Sequence, residues 1–107
     1  MIDWDKIIHD TGLFWQYPVK TERTFYEQNR HDVNCVGVPW ATIVDKNLIK
    51  NTQLLNHFKS FADTLPSDNL YTGCQHCYYY GLGEWFEALN IKTVYTSHKR
   101  WNVDKIG

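Results

Sequence analysis

The sequence lacks any long apolar segment. No run approaches the roughly 18 to 20 consecutive apolar residues that a membrane-spanning helix requires. Its first residues, Met-Ile-Asp-Trp-Asp, also lack the basic region and apolar core of a secretory signal peptide. Its three cysteines are an odd number, which is not typical of a disulfide framework. We therefore expect a cytoplasmic protein with reduced thiols and no contact with a membrane.

The sequence also carries little net charge. Eleven Lys and Arg residues against twelve Asp and Glu residues give a formal charge of -1. This balance is too neutral for a typical protein that binds the phosphate backbone of nucleic acids. With 43% hydrophobic residues, the chain is too apolar to be disordered. Its 107 residues suffice for a single domain with one modest core.

Residues 1–34 have the less regular pattern. Trp4, Ile7 and Ile8 recur at helical spacing and Thr11-Gly12 follows, so we expect a short amphipathic helix there. A proline-broken aromatic stretch at residues 13–18 favours an extended segment laid over the core. Residues 21–29 add a helical turn or two. Residues 1–34 are thus expected to be a helical or irregular extension.

The remainder of the chain alternates between strand and helix patterns. Three short runs have the apolar, β-branched character of buried strands: residues 40–44, 70–72 and 91–96. Two amphipathic segments lie between them, at residues 47–63 and 81–90. Connections of this length favour parallel crossovers. We therefore expect an α/β fold: a small three-layer, Rossmann-like half-domain with a parallel β-α-β-α-β unit over residues 35–107.

Each predicted strand ends in reactive polar residues. In chain order these ends are Asp45-Lys46, Cys74-Gln75-His76-Cys77 and Ser97-His98-Lys99-Arg100. The carboxyl ends of parallel strands meet at one edge of a sheet, where open α/β folds bind ligands. Histidine titrates near neutrality, so His76 and His98 together with Asp45 and Lys99 would supply acid, base and anion-binding groups in one cleft. Each of them alone is more often a structural residue.

The pair Cys74 and Cys77 has further interpretations. Two thiols at i and i+3 where a strand meets a helix can close a disulfide, as in a thiol-disulfide oxidoreductase. With His76 or His98 they could also offer zinc ligands, but the second Cys or His pair of a structural zinc site is missing. Small, partly buried structural cysteines are the simplest alternative. We predict no metal and no cofactor.

Three parts of the sequence carry a family resemblance. They are FWQYPVKTE at residues 14–22, GVPWATIVDK at residues 37–46, and Cys74-Gln75-His76 together with IKTVYTSHK at residues 91–99. Together they resemble the N-terminal region of GT-B-like glycosyltransferases from viral and environmental sequences, over nearly the whole chain. The resemblance implies a Rossmann-like domain on the acceptor side, facing a second Rossmann-like domain that holds the nucleotide-sugar donor.

The resemblance also implies roles for individual residues. His76 would bind the saccharide acceptor, or take the proton from its attacking hydroxyl as a nucleotide diphosphate leaves. Gln75 would orient that hydroxyl, Lys99 would steady negative charge, and Asp45 and His98 would line the same edge. The chain contains no second domain. We therefore expect an acceptor-side domain or fragment that is inactive without a donor-binding partner domain or a homo-oligomer, and a viral origin would place it in host cytoplasm.

A protein-interaction module of viral type, without catalysis, is the alternative from a different class. It would use the aromatic-rich first third and an uncovered sheet edge as its partner surface. The sequence therefore leaves three functions open: a glycosyltransferase-like domain, an interaction module, and an oxidoreductase that uses Cys74 and Cys77.

Overall fold

The computed structural model describes residues 2–15, 21–65, 68–75, 80–96 and 100–103. The helices in these ranges are α1 (Trp4–Asp10), α2 (Thr21–Asn29), α3 (Trp40–Asp45), α4 (Thr52–Ala62) and α5 (Tyr80–Ala88). The strands are β1 (Leu70–Gly73), β2 (Ile91–Tyr95) and β3 (Arg100–Asn102). The protein is a mixed α/β domain. Its radius of gyration of 12.3 Å matches the value of about 13 Å expected for a compact domain of this size.

The sheet combines parallel and antiparallel pairing in the order β1-β2-β3. β1 and β2 are parallel, with Gly73 opposite Tyr95 at their carboxyl ends, and α5 lies between them in the chain. β3 returns antiparallel to β2. On the other side of β1, Cys35 forms an isolated parallel bridge with Tyr71. This last contact makes residues 34–36 a short parallel neighbour of β1.

Helices cover both faces of the sheet. Successive side chains of a strand point to opposite faces of the sheet, so the contacts of Tyr71 and Thr72 show what packs on each face. The Tyr71 ring lies 6.0 Å from that of Phe25 on α2. The Thr72 hydroxyl instead accepts a hydrogen bond from the Trp40 indole of α3, whose ring lies 4.8 Å from Phe86 of α5. α2 therefore packs on one face, and α3 and α5 pack on the other.

Most predicted elements are confirmed, and their ends have local causes. Asp3 caps α1 by accepting a hydrogen bond from the Lys6 amide, and Asn51 caps α4 by accepting one from Leu54. Asn90 has a φ of 60°, the left-handed conformation that commonly ends a helix, and it separates α5 from β2. The strand predictions at residues 70–72 and 91–96 correspond to β1 and β2.

The predicted first strand, residues 40–44, is wrong because this segment is helix α3. Tertiary contacts override the β-branched composition. The Trp40 side chain is fully buried and donates to Thr72 at 2.9 Å, while the Thr42 hydroxyl donates to the Phe14 carbonyl at 2.7 Å. The β-α-β-α-β order is therefore not formed as predicted. The extended residues 34–36, just upstream, take the position beside β1.

Candidate functional site

The structure places only part of the predicted site. Gln75 follows β1 by two residues and is half-buried beside its carboxyl end. Asp45 is exposed at the end of helix α3, so its expected place at the end of a strand is wrong. Four further predicted residues lie outside the described ranges, and their roles stay predictions: His76, Cys77, His98 and Lys99.

A residue that the sequence analysis did not single out, Glu22, lies beside Gln75. Glu22 is in the first turn of α2 and is only 4% exposed. Its carboxyl accepts a hydrogen bond from the Gln75 amide at 2.8 Å. It also accepts from the Ala41 amide, at 3.0 Å to one oxygen and 3.2 Å to the other. One side chain thus connects α2 with the start of α3 and with the loop after β1.

Glu22 takes the place of a missing helix cap. The residue before α3, Pro39, makes no capping hydrogen bond through its side chain. The first amides of a helix need acceptors, and a negative group there is favoured by the helix dipole. Ala41 is the second residue of α3, and the Glu22 carboxyl supplies its acceptor from 19 positions away in the chain. This long-range contact explains how a segment with strand composition begins a helix.

Burial makes Glu22 a proton-exchanging group near neutral pH. Burial raises its pKa to about 7, although the hydrogen bonds from Ala41, Gln75, the Cys74 thiol and Trp40 all lower it. A carboxyl with such a pKa is present in both protonation states at physiological pH. That is the property that acid and base catalysts require, and it also occurs in purely structural networks.

Gly73 allows α2 to approach this end of the sheet. A β-carbon at Gly73 would lie 2.5 Å from Cδ1 of Phe25, which is closer than real contacts allow. Phe25 stands one turn after Glu22, and its ring stacks on that of Tyr95 at 5.5 Å and 26°. Because Tyr95 pairs with Gly73, these half-buried rings mark the carboxyl ends of β1 and β2. The buried carboxyl and the aromatic pair therefore share one end of the sheet.

At this end of the sheet the Glu22 side chain is buried among the described residues. The gap beside Glu22, between α2 and β1, is too narrow to hold a water molecule. A cavity of about 510 Å³ lies at the other end of β2, lined by residues that include Glu87, Asn90 and Lys92. We place the candidate site at the carboxyl ends of β1 and β2 because the described residues that line the cavity include no buried ionisable group. A ligand would reach Glu22 only after local opening.

The described cysteines are in surroundings that oppose thiol exchange. Cys74 is 1% exposed and its thiol donates to the Glu22 carboxyl. Burial, with Asp32 nearby, raises the pKa of Cys35 to about 12. Exchange requires an accessible thiolate, and both burial and a neighbouring carboxylate disfavour that form. The two residues fit the interpretation as small buried side chains, and Cys77 lies outside the described residues.

Metal binding finds no support in the part of the chain that the structure describes. There, no three His, Cys, Asp or Glu side chains gather closely enough to hold a metal ion. Nor does any described helix have the length and apolar character needed to cross a membrane.

Glu22 left a weak signal in the sequence. It precedes Phe25 and Tyr26 by three and four positions, which puts it on the apolar face of the predicted helix. An acidic residue in a first turn is usually explained by the helix dipole alone. The contacts of Glu22 with Ala41 and Gln75 arise from the tertiary fold and have no local sequence pattern.

Comparison of the chain with known proteins identifies no relative. No family model matches the chain, and neither the curated proteins nor the solved structures contain a match.

Proposed function

We propose that this chain is the acceptor-side domain of a GT-B-like glycosyltransferase. In this proposal the carboxyl end of the β1-β2 pair forms one wall of a cleft for a saccharide acceptor. A second, donor-binding Rossmann-like domain forms the opposite wall, supplied by a partner chain or a further domain. The chain alone then binds the acceptor but does not transfer a sugar.

One observation carries the proposal: the Glu22 carboxyl lies against the Gln75 amide at 2.8 Å, at the carboxyl end of a parallel strand. Open α/β sheets bind their ligands at this end. Attack by a saccharide hydroxyl needs a group that takes a proton near neutral pH, and burial raises the pKa of Glu22 to about 7. The half-buried rings of Phe25 and Tyr95 add an aromatic surface on which a sugar ring can stack.

The layered packing supports the finer, Rossmann-like part of the proposal. β1 and β2 are parallel with α5 between them, and residues 34–36 add a parallel neighbour at β1. Helices cover both faces, as in a doubly wound sheet. In the proposed site, Gln75 orients the acceptor hydroxyl and Glu22 joins His76 as a candidate base. The predicted contributions of His98 and Lys99 come from the segment after β2.

Saccharide binding by the full chain tests this function. We would titrate the ¹⁵N-labelled protein with a panel of mono- and disaccharides and record amide chemical shifts. The expected shifts cluster at Ala41, Gly73 and Gln75, and Gln75→Ala weakens binding about tenfold or more, the loss of one or two polar contacts. Gln53→Ala, an exposed position on α4, is the matched control and leaves binding unchanged.

Two outcomes would overturn the proposal. One is a folded protein in which no saccharide at millimolar concentration shifts any amide. The other is a set of shifts confined to the cavity near Asn90 and Lys92, at the opposite end of β2.

An interaction module is the second candidate, favoured by exposed apolar side chains. Phe14 is 49% exposed and Val33 is 40% exposed, and β3 ends the order of the described sheet. An outer strand can pair with another chain. This function predicts concentration-dependent self-association in analytical ultracentrifugation and no saccharide binding, so one pair of measurements separates the two candidates.

A further inference from the structure

We propose that the cavity at the amino end of β2 binds a free α-amino acid with an aliphatic side chain. This cavity begins where α5 turns into β2, at the opposite end of β2 from Tyr95. Its lining residues differ from those of the proposed acceptor site. The amino-acid site is therefore independent of the proposed function.

The cavity follows the outer edge of β2. Ile91, Lys92 and Thr93 all line it, although successive side chains of a strand point to opposite faces. A cavity that touches all three lies along the edge of the strand and not on one face. Along this edge β3 pairs only as far as Asn102, which lies opposite Thr93. Within the described residues, the edge at Ile91 and Lys92 thus lacks a strand partner on that side, and such an edge offers main-chain donors and acceptors.

The lining contains one anionic and one cationic side chain. Glu87 is in the last turn of α5, and Lys92 is the second residue of β2. Asn90, with its φ of 60°, turns the chain between them, so a helix end and a strand edge flank the cavity. The carboxyl end of a helix carries partial negative charge, which adds to that of Glu87. The α5 side therefore attracts an ammonium group, and Lys92 attracts a carboxylate.

Both charges are available to a ligand. The ion pairs formed within the described part of the chain join other side chains, so Glu87 and Lys92 do not neutralise each other. Both side chains are exposed. The amides of Asn90 and Asn102 and the hydroxyl of Thr93 add neutral hydrogen-bonding groups to the same lining. A ligand that carries charges of both signs satisfies both ends of the cavity at once.

The remaining lining is apolar. Ile91 and Val103 are 1% and 5% exposed, and they contribute aliphatic surface to the cavity. The volume of about 510 Å³ lies within the range of about 300 to 1,000 Å³ of small-molecule sites. An α-amino acid at neutral pH carries an ammonium group, a carboxylate and a side chain on one carbon atom. A neutral sugar carries neither charge, and a chain terminus of a peptide carries only one.

Amide chemical shifts of the ¹⁵N-labelled full chain test this site. We would titrate it with L-leucine, with leucinamide, which lacks the carboxylate, and with N-acetyl-leucine, which lacks the ammonium group. Exposed charges bind weakly, so we expect saturation by L-leucine at concentrations of about 1 to 20 mM. The shifts should cluster at Asn90, Lys92, Thr93 and Asn102. Each of the two derivatives should bind about two- to fivefold more weakly, the contribution of one exposed charge pair.

Two charge-removing variants assign the ends of the ligand. Lys92→Gln should abolish the preference for L-leucine over leucinamide, and Glu87→Gln should abolish the preference over N-acetyl-leucine. A merely structural role of either residue would weaken all three ligands alike. Glu84→Gln is the matched control, because Glu84 is also exposed on α5, one turn before Glu87, and does not line the cavity.

Several results would overturn the site. They are the absence of shifts at about 20 mM L-leucine in the folded wild type, equal affinity for all three ligands, and an equal loss of L-leucine binding in Glu84→Gln. Neutral saccharides that shift the same four amides would overturn the assigned ligand class. Loss of the amino-acid site would leave the proposed function untouched, since its expected shifts lie at Ala41, Gly73 and Gln75.

Discussion

The two faces of the sheet both bury polar side chains, but with opposite consequences. On the α3 face, the Thr72 hydroxyl accepts from the Trp40 indole at 2.9 Å and donates to the Val36 carbonyl at 2.6 Å. On the α2 face, Glu22 is surrounded by neutral donors. The first network is neutral and its groups satisfy one another. The second contains a group whose charge depends on pH, so of these two described networks only the second responds to protons.

The largest expected effect concerns the neutral face. Trp40 is fully buried against Trp85 and Phe86, so Trp40→Ala should lower the free energy of unfolding by about 3 to 5 kcal/mol. The loss should be equal at pH 5 and pH 8, because the substitution removes no ionisable group and keeps the Trp40 main-chain amide that donates to Glu22. Urea unfolding followed by circular dichroism measures it. A loss that differed by more than about 1 kcal/mol between the two pH values would contradict the claim that the α3 face contributes to stability independently of pH.

The ionisable face predicts a pH-dependent stability. Because the folded-state pKa of Glu22 is about 7 and its ordinary value is about 4.5, its contribution is fully present below pH 4.5 and is lost as the pH rises through about 7. The loss amounts to about 3 kcal/mol. In Glu22→Gln this part of the pH dependence should vanish. Urea unfolding across pH 4 to 8 measures both proteins, and matching profiles would contradict the assignment.

A smaller effect is expected at the hydroxyl of the neutral network. Thr72→Val preserves the shape of the side chain but leaves the Trp40 indole without its acceptor, at a cost of about 1 to 3 kcal/mol. Thr93→Val, on the neighbouring strand and half-buried, is the matched control and should cost less. The difference between the two variants should be the same at pH 5 and pH 8. A neutral result for Thr72→Val would show that the network does not stabilise the fold.

The smallest effect belongs to the exposed charges of α2. Glu27 forms an i,i+4 pair with Arg23, and both side chains are about half exposed. Such pairs contribute about 0 to 1 kcal/mol and less in high salt. Glu27→Gln should therefore change the free energy of unfolding by less than 1 kcal/mol, and the change should shrink in 1 M NaCl. A larger effect would mean that charged residues of α2 other than Glu22 also contribute substantially to stability.

Local patterns predicted the parts of the fold that local forces determine. The apolar spacing of Leu82, Trp85 and Phe86 predicted α5, and the cap at Asp3 agrees with the predicted start of α1. Helix α4 was also predicted, but it begins after its cap Asn51 and not at the predicted residue 47. Residues 40–44 were wrongly predicted as a strand because their helix, α3, depends on a distant contact: the Ala41 amide donates to the Glu22 carboxyl of α2. The part of the candidate site that the sequence did not predict depends on distant contacts in the same way. Gln75 was predicted from its place after β1, whereas Glu22 depends on contacts with residues 19 and 53 positions away.

The most direct test of the account is the titration of the Glu22 carboxyl carbon by ¹³C NMR in the wild-type protein, with Glu27 as the internal reference. The account predicts a midpoint near pH 7 for Glu22, since burial outweighs its hydrogen bonds. The Gln75 amide, which donates to this carboxyl, should titrate with the same midpoint. A Glu22 midpoint near the ordinary carboxyl value of about 4.5 would contradict it.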